Sequence, residues 1–368
     1  MIVKLIGTAE EFFELRHEWN ALLESSASTC VFLTHEWLST WWKHLSGGRK
    51  LSILAARDGG KLIGVIPLAI RAPQYPRMMP RLVEFIASGV IGSDYLDAII
   101  ERGRECEVLG AFAEELRRWG LMLQLSPLRH QSCVVAGLPQ FLGHNQWASL
   151  ETRINICPFI DLTNHTWETY LATLGSSQRY NYNRRLRTLQ KTFDVRLDIV
   201  DSPSDAEGAL NAVIELHRKR WGSVGASEAF QTPAIIAFHR EFVQRAAARG
   251  WLRLLILSLD NVPVAALYGL RYGPTFYFYQ SGFDPAYSKY SVGLVMMGLA
   301  IKAAIQEGVS EYDLLHGDEE YKFHWACSQR ELTRLEAHPP HARARIYRRA
   351  IDLNRAARRM ARRVLKRI

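Results

Sequence analysis

The sequence contains few cysteines, and their spacing suits neither metal binding nor disulfide bonds. Its five cysteines are far apart, odd in number and never form a C-x-x-C pair. This pattern argues against a disulfide framework and a zinc knuckle, and it favours a reducing compartment. The sequence also lacks an H-E-x-x-H motif and a G-x-S-x-G elbow. We therefore expect no metal site and no serine hydrolase.

Long hydrophobic runs are also missing. The first residues, MIVKLIGTAEEFFELR, contain no apolar run long enough for a signal peptide. The longest apolar stretch, from Val292 to Ile301, is too short to cross a bilayer. The sequence therefore predicts a cytoplasmic protein.

Positive charge is concentrated at one end of the chain. The net charge is +9, but eleven Arg or Lys and a single acid, Asp352, lie between His341 and Ile368. The rest of the chain is therefore close to neutral, and specific nucleic-acid binding is not expected. The tail has apolar residues at helical spacing, which predicts a basic helix in peripheral contact with an anionic membrane. Docking on RNA or an acidic partner and a solvated, disordered tail are the alternatives.

The two halves of the chain show the same predicted order of elements. A length of 368 residues suggests two domains. Each half is predicted to contain, in order, two helices, a hairpin, a strand, a helix and a final strand. The hairpins turn at residues 58–60 and 260–261, and aligning them places Leu51 opposite Leu252. We therefore predict an internal duplication, with domains at 1–155 and 156–340 followed by the tail at 341–368.

Local patterns predict the individual elements. Thr34 is a predicted N-cap, because the helical pattern HEWLSTWWKHL follows it. The segments SDYLDAII, LMLQLSPL, TFYFYQSGF and EYDLLHG are predicted strands. Trp37, Trp41 and Trp42 are assigned to core or interdomain packing. Further helices are predicted at 10–24, 105–119, 204–221, 232–249 and about 292–307.

A basic segment, SSQRYNYNRRLRTLQKT, lies between the two halves. Five Arg or Lys occur within 13 residues, starting at Arg179 and including Arg184. If the segment is a helix, several of these cations share one face. They could bind an anionic substrate, because Arg pairs bidentately with phosphate and carboxylate. The alternative is a solvated helix that bridges the domains.

Four segments together resemble a known superfamily. They are FLTHEWLSTWW, SDY at residues 93–95, SSQRYNYNRRLRTL, and the ending GDEEYKFHW. In this order they resemble the GNAT acyltransferases, and more narrowly those associated with cellulose and exopolysaccharide biosynthesis, over about residues 1–335. The resemblance implies an α+β fold with two tandem GNAT-like domains, each a mostly antiparallel mixed sheet flanked by helices. It also implies similarity to the Fem peptidyltransferases and to the leucyl/phenylalanyl-tRNA transferases.

The resemblance implies that acetyl-CoA binds in the second domain. GNAT proteins bind its pyrophosphate at a helix N-terminus, where free backbone N–H groups and the helix dipole favour an anion. Here the loop is SKYSVGL, which has a single glycine and no arginine and departs from the usual Q/R-x-x-G-x-G/A pattern. The backbone near Gln280 and Ser281 would stabilise the oxyanion. The candidates for the phosphate contacts are Lys289, Ser291, Val292 and Gly293.

The stretch YDLLHGDEEYKFHW carries candidates for acyl-transfer chemistry. Asp318, Glu319 and Glu320 are possible general bases, and Tyr321 is a possible acid for the leaving thiolate. Lys322 could hold a carboxylate or phosphate of the substrate. The alternatives are a solvated acidic loop, or a strand in which Tyr321, Phe323 and Trp325 pack on one side.

Two further residues are assigned roles from their positions in the sequence. Asp94 is a candidate catalytic partner contributed across the cleft by the first domain, with a turn residue as the alternative. His316 is assigned to the edge of the core rather than to catalysis.

The expected function is acetyl transfer from acetyl-CoA to an amine or hydroxyl of a sugar or cell-envelope precursor. The first alternative is a Fem-like transferase that uses aminoacyl-tRNA. The second is a catalytically silent GNAT scaffold that binds an acyl donor or a membrane partner in polysaccharide export.

Overall fold

The computed structural model describes residues 1–71, 81–89, 91–222, 228–342, 344–346 and 348–349. The strands are β1 (Ile2–Ile6), β2 (Lys50–Leu51), β3 (Ile53–Asp58), β4 (Lys61–Ile66), β5 (Leu68–Arg71), β6 (Leu82–Phe85), β7 (Ile99–Ile100), β8 (Met122–Arg129), β9 (Ala148–Asp161), β10 (Val195–Val200), β11 (Leu252–Leu259), β12 (Val262–Tyr272), β13 (Thr275–Phe283), β14 (Glu311–Asp313) and β15 (Ser328–His338). The helices are α1 (Ala9–Glu14), α2 (Arg16–Ser25), α3 (His35–Leu45), α4 (Glu105–Trp119), α5 (Cys133–Gly143), α6 (Trp167–Thr173), α7 (Ser176–Thr192), α8 (Pro203–Gly222), α9 (Pro233–Ala248), α10 (Val292–Gln306) and α11 (Glu320–Phe323).

Local sequence signals account for many of these boundaries. The Thr34 hydroxyl accepts a hydrogen bond from the backbone N–H of Trp37 at 3.3 Å, which confirms the predicted N-cap of α3. The β11–β12 hairpin turns through Asp260 and Asn261, whose φ angles of 50° and 66° are those of a type I′ turn. The predicted turn at residues 58–60 likewise joins β3 to β4. Both hairpins, and the predicted offset between the halves, are confirmed.

The described strands form two sheets, and the larger one crosses the predicted domain boundary. One has the order β1-β3-β4-β7, and the other has the order β10-β11-β12-β13-β14-β9-β15-β8-β6-β5-β2. Each half ends in a strand that inserts into the other half: β9 pairs with β14, β15 pairs with β8, and β9 and β15 pair with each other. The predicted boundary at residues 155 and 156 falls inside β9. This reciprocal exchange was not foreseen from the sequence.

Three sequence-based boundaries need correction. The predicted strand SDYLDAII is a strand only at Ile99–Ile100, because its first part leaves the sheet to contact the second half. EYDLLHG is a strand only at Glu311–Asp313. The helix predicted at 10–24 is divided at Leu15 into α1 and α2. Most of the predicted tail helix lies outside the described residues.

Packing of both faces of the second-half strands fixes their position. On one face, α10 and α7 cover a cluster that includes Leu267 and Phe278. On the other face, α8 and α9 cover a cluster that includes Tyr268 and Tyr279. The fully buried Trp37 of α3 joins the halves, since its ring contacts those of Phe238, Phe242 and Tyr279. Among the described residues, no helix has the length and apolar character needed to cross a membrane.

Candidate functional site

Two neighbouring strands of the second half separate and open a site between them. β13 and β14 pair in parallel only over residues 275–277 and 311–313. Beyond this point β13 continues to Phe283, while the chain after β14 turns away through Leu315, whose φ is 55°. A register shift between β12 and β13 leaves Tyr279 as an extra residue between Phe278 and Gln280. The sheet is therefore split where backbone groups can face a ligand.

The larger of two cavities at this split has a volume of about 370 Å³. Part of its lining is apolar and includes Leu267, Phe278 and Met296. Another part is the start of α10, formed by Ser291, Val292 and Gly293, so these three predicted residues line the cavity together. An elongated ligand with an apolar stem fits this lining.

The N-terminus of α10 faces this cavity with its backbone donors. Its first residue follows Ser291, which has a left-handed φ of 57°, and no side chain in the described part of the chain caps this end. The first backbone N–H groups of a helix have no partner within the helix, and the dipole makes this end positive. Nearby, the Arg185 guanidinium donates to the backbone carbonyl of Lys289 at 3.0 Å. These groups can bind a phosphate-bearing ligand.

A smaller cavity of about 120 Å³ lies on the other side of the split. Four of its lining residues, Arg220, Phe278, Ser281 and Tyr321, also line the larger cavity, so the two spaces adjoin. The rest of its lining is more polar and includes Gly92, Gln280, His316, Glu319 and Lys322.

A histidine and an aspartate from opposite halves meet at the small cavity. The Nδ1 atom of His316 lies 2.9 and 3.0 Å from the two carboxylate oxygens of Asp94. The backbone N–H of His316 also donates to Asp94, at 2.9 Å. Because a carboxylate only accepts hydrogen bonds, this geometry assigns the proton to Nδ1 and leaves Nε2 of the neutral ring as an acceptor.

The environment of this pair suits proton transfer. Asp94 is buried, with 1% of its surface exposed, whereas the His316 side chain is 45% exposed and lines the small cavity. The negative charge of Asp94, together with its hydrogen bond, raises the pKa of His316 above its ordinary value. An exposed imidazole held by a buried carboxylate is an arrangement that can act as a general base.

Asp94 reaches this site because the first half carries a long insertion. In the second half, Phe278 pairs with Gly269 and Gly282 pairs with Ala266. Three residues separate Phe278 from Gly282. At the corresponding register of the first half, thirteen residues, 86–98, separate Phe85 from Ile99. The single-residue bulge of one half is thus a long loop in the other.

Further contacts anchor this loop against both halves. The Ser93 hydroxyl accepts a hydrogen bond from the Trp37 indole at 2.9 Å. The Tyr95 hydroxyl donates to Asp313 of β14 at 2.7 Å, and Asp313 also pairs with Arg330 at 3.1 Å. Burial raises the pKa of Asp313 to about 6. The SDY segment is therefore positioned by residues of both halves.

The loop after β14 is held by a buried lysine. The Nζ atom of Lys322 donates to the backbone carbonyl of His316 at 2.6 Å and pairs with Glu319 at 3.0 Å. Burial would raise the pKa of Glu319, but Lys322 lowers it below the ordinary value. Gly317 has a φ of 126°, and a Cβ at this position would lie 2.1 Å from the Glu319 carboxylate. Lys322 therefore fixes the loop that carries His316.

Tyr321 is the predicted residue at the junction of the two cavities. Burial raises the pKa of its hydroxyl to about 12, so the proton remains bound at neutral pH. A protonated phenol facing both cavities can donate a proton to a leaving group.

Other predicted site residues lie elsewhere. Among the described residues, the linings of the two cavities do not include Asp318, Glu320, Lys289, Arg179 or Arg184. Of the three consecutive acids, only Glu319 lines a cavity, and its partner is Lys322. On α7, Arg179 is partly buried and Arg184 is exposed, and Arg184 contacts Asn181 and the Tyr180 ring.

Sequence reasoning missed two residues. His316 was assigned to the core edge, although its place directly after a strand was a usable signal. Arg220 had no motif to mark it, since it stands in a basic stretch of α8 with Arg218 and Lys219. In the part of the chain that the structure describes, no group of His, Cys, Asp and Glu side chains is arranged to hold a metal ion.

Comparisons with known proteins agree with this architecture. Residues 176–323 match the family model of the acetyltransferase (GNAT) domain. The whole chain is similar to the crystal structure of FemX, with 13% identity, a TM-score of 0.62, and 91% of this chain and 97% of that chain covered. It is also similar to L-PGS from Bacillus licheniformis, with 10% identity, a TM-score of 0.54, and coverage of 88% and 91%.

A third similar structure is a conserved protein of unknown function from Bacteroides thetaiotaomicron. It shows 13% identity, a TM-score of 0.57, and coverage of 92% of this chain and 100% of that chain. A search of curated proteins gave no match. At these identities the structural likeness establishes the fold, and the predicted α+β architecture with two GNAT-like halves is confirmed. The domain match supports a GNAT-type transferase.

Proposed function

We propose that this protein is an acetyl-CoA-dependent acyltransferase whose catalytic site is shared between its two halves. The observation that carries the proposal is the pair of adjoining cavities, with the N-terminus of α10 at one and the Asp94–His316 pair at the other. Acetyl-CoA would occupy the larger cavity, with its phosphates at Ser291, Val292 and Gly293. The acceptor nucleophile would enter the smaller one.

The residues supply each step of acyl transfer. Nε2 of His316 takes a proton from the amine or hydroxyl of the acceptor as that atom bonds to the thioester carbonyl carbon. The carbonyl oxygen then carries the negative charge, and backbone N–H groups near the bulge at Tyr279 would stabilise it. When the carbon–sulfur bond breaks, Tyr321 donates its proton to the departing thiolate. Proton exchange between the histidine and the tyrosine restores both groups.

We propose a sugar or another cell-envelope precursor as the acceptor class. The support is the ordered set of segments that resembles exopolysaccharide-associated GNAT proteins, because the SDY and GDEEYKFHW segments supply Asp94, Tyr321 and the loop around His316. The protein would act in the cytoplasm, and its basic tail would contact an anionic membrane where such precursors are assembled.

A Fem-like, aminoacyl-tRNA-dependent transferase is the second candidate. The observation that favours it is α7, which carries five Arg or Lys and no acid and contacts the segment at the mouth of the large cavity through Arg185. Likeness to FemX agrees with this option. A polyanionic donor larger than acetyl-CoA would engage Arg179 and Arg184, which lie outside the two cavity linings.

Titration with acetyl-CoA tests the first proposal. We expect saturable calorimetric binding to the full chain, and release of free thiol when amine and hydroxyl acceptors are added. Gly293→Val should weaken binding, since a larger side chain would enter the cavity from α10.

Other outcomes separate the candidates. Binding of a charged tRNA without binding of acetyl-CoA would favour the Fem-like reaction. Binding of acetyl-CoA without thiol release to any acceptor would favour a scaffold. Absence of binding to either donor would contradict both enzymatic proposals.

A further inference from the structure

One arginine stands where the two cavities meet. Arg220, near the end of α8, lines both the 370 Å³ and the 120 Å³ cavity. A donor in one cavity and an acceptor in the other would therefore both pass this guanidinium. Its surroundings indicate which kind of group it is prepared to bind.

Aromatic rings hold the Arg220 guanidinium in place. Its central carbon lies 4.8 Å from the centre of the Trp221 ring, 5.1 Å from that of Phe283 and 5.7 Å from that of Tyr321. Its Nη1 donates to the Ser281 hydroxyl at 3.0 Å. Stacked rings orient the planar group without neutralising its charge.

Within the described part of the chain, no carboxylate lies within ion-pair distance of Arg220. Two other arginines of the second half differ in this respect. Arg253 pairs with Glu307 at 2.9 Å, and Arg330 pairs with Asp313 at 3.1 Å. The neighbouring Lys219 is also paired, with Glu215 and Asp284. Arg220 thus retains further N–H donors, and an unneutralised charge, for a group that enters the site.

Among the described residues, the rest of the small cavity's lining offers no competing cation of this kind. Lys322 is already paired with Glu319 and bonded to a backbone carbonyl. His316 directs its Nδ1 to Asp94. An anion entering beside the nucleophile would therefore find Arg220 as its binding partner among the described lining residues.

We propose that the acceptor carries a carboxylate, which Arg220 binds while His316 receives the proton of the nucleophile. This inference rests on the proposed acyl transfer and names its acceptor class: an acidic sugar or an amino acid. The fixed, planar fork of an arginine matches a planar carboxylate with two parallel hydrogen bonds. The anionic part of the donor is expected at the N-terminus of α10, which leaves Arg220 to the acceptor.

Matched pairs of acceptors test the proposal by direct binding. Glucuronate is compared with glucose, and alanine with alaninamide, using intrinsic tryptophan fluorescence, since Trp221 stacks on Arg220. We expect at least one carboxylate to bind ten times more tightly than its neutral counterpart. Arg220→Gln should abolish this difference, and Arg218→Gln, an exposed position on the same helix, should preserve it. Equal binding within both pairs, or no binding of either carboxylate, would overturn the proposal.

Turnover measurements then distinguish a carboxylate on the acceptor from a carboxylate on the acyl group. With acetyl-CoA, Arg220→Gln should raise the KM of the carboxylated acceptor at least tenfold, whereas the control Arg218→Gln should leave that KM unchanged. An equal loss of kcat with every acceptor, and of acceptor-independent thioester hydrolysis, would instead make Arg220 a stabiliser of the oxyanion. Preference for succinyl-CoA over acetyl-CoA, lost in Arg220→Gln, would assign the carboxylate to the acyl group. Either result would refute the acceptor assignment.

The failure of the proposed function has a different signature. In that case neither acetyl-CoA nor succinyl-CoA would bind or release thiol, whereas the fluorescence comparison of the acceptor pairs would still report on Arg220. The two proposals can therefore fail independently.

Discussion

Replacement of Asp94 by asparagine tests the composite site most directly. The carboxylate contacts His316 Nδ1 through both oxygens and also accepts the backbone N–H of His316. Asparagine keeps one oxygen for the backbone contact, so the loop should remain in place. Its amide can instead donate to Nδ1, which would move the ring proton to Nε2. The atom that must accept the proton of the nucleophile would then already carry one.

The size of the effect follows from these contacts. General base catalysis contributes about 10²–10⁴-fold to rate, so we expect Asp94→Asn to lower kcat by about 10²-fold or more. A factor of 10² corresponds to about 2.7 kcal/mol in activation free energy. The loss of one charge-assisted hydrogen bond should reduce folding stability by about 1.5–3 kcal/mol.

The pH profile supplies an independent measurement. The neutral form of His316 is the base, so kcat/KM should rise with pH through the pKa of this residue. Asp94 raises that pKa, and its removal should move the acid limb to lower pH with a lower plateau. A raised folded-state pKa also means that the pair stabilises the fold fully below the unfolded pKa of about 6.5. This contribution should disappear as the pH rises through the folded pKa, and Asp94→Asn should lack it.

Thiol release measured from pH 5 to 9 checks these expectations, with calorimetric binding of acetyl-CoA as the control for the donor site. The double variant with His316→Ala should be no slower than His316→Ala alone, because the two residues act as one unit. A folded Asp94→Asn protein that binds acetyl-CoA and keeps turnover within twofold, with an unmoved acid limb, would refute the dyad.

Other positions give shorter tests. Tyr321→Phe should lower kcat at least tenfold in the thiol-release assay, while Glu320→Gln should stay near the wild type because Glu320 lies outside both cavity linings; the reverse ranking would contradict the assigned roles. Gly293→Val should raise the KM of acetyl-CoA at least tenfold with little change in Tm, and an unchanged KM would place the donor elsewhere. A Cβ at Gly282 would lie 2.1 Å from the backbone of α8, so Gly282→Ala should reduce the free energy of unfolding by at least about 2 kcal/mol in urea titrations. The control Gly208→Ala, where a Cβ meets no atom within 4 Å among those described, should be neutral or slightly stabilising.

The two ends of the site, one at the start of α10 and one at the Asp94–His316 pair, were predictable to different degrees. The strand β13 and the helices α4 and α10 follow their sequence patterns within a residue, because apolar period, caps and turns act over a few positions. Local reasoning also predicted an anion site at the helix N-terminus of Ser291 to Gly293, and the resemblance assigned that site to the acyl donor. The resemblance marked Asp94 and Tyr321 as candidates, since each stands in a recognisable segment.

The acceptor end depended on contacts that local patterns do not encode. Asp94 and His316 are 222 residues apart, and they meet because each half places its last strand in the other half's sheet. This exchange fixes the register that brings the long insertion of the first half to the end of β14. The sequence by itself therefore determined many of the elements, the repeated order of the two halves and the helix that begins after Ser291. The tertiary structure alone decided which acid meets the histidine and which arginine lines both cavities, because both depend on long-range contacts.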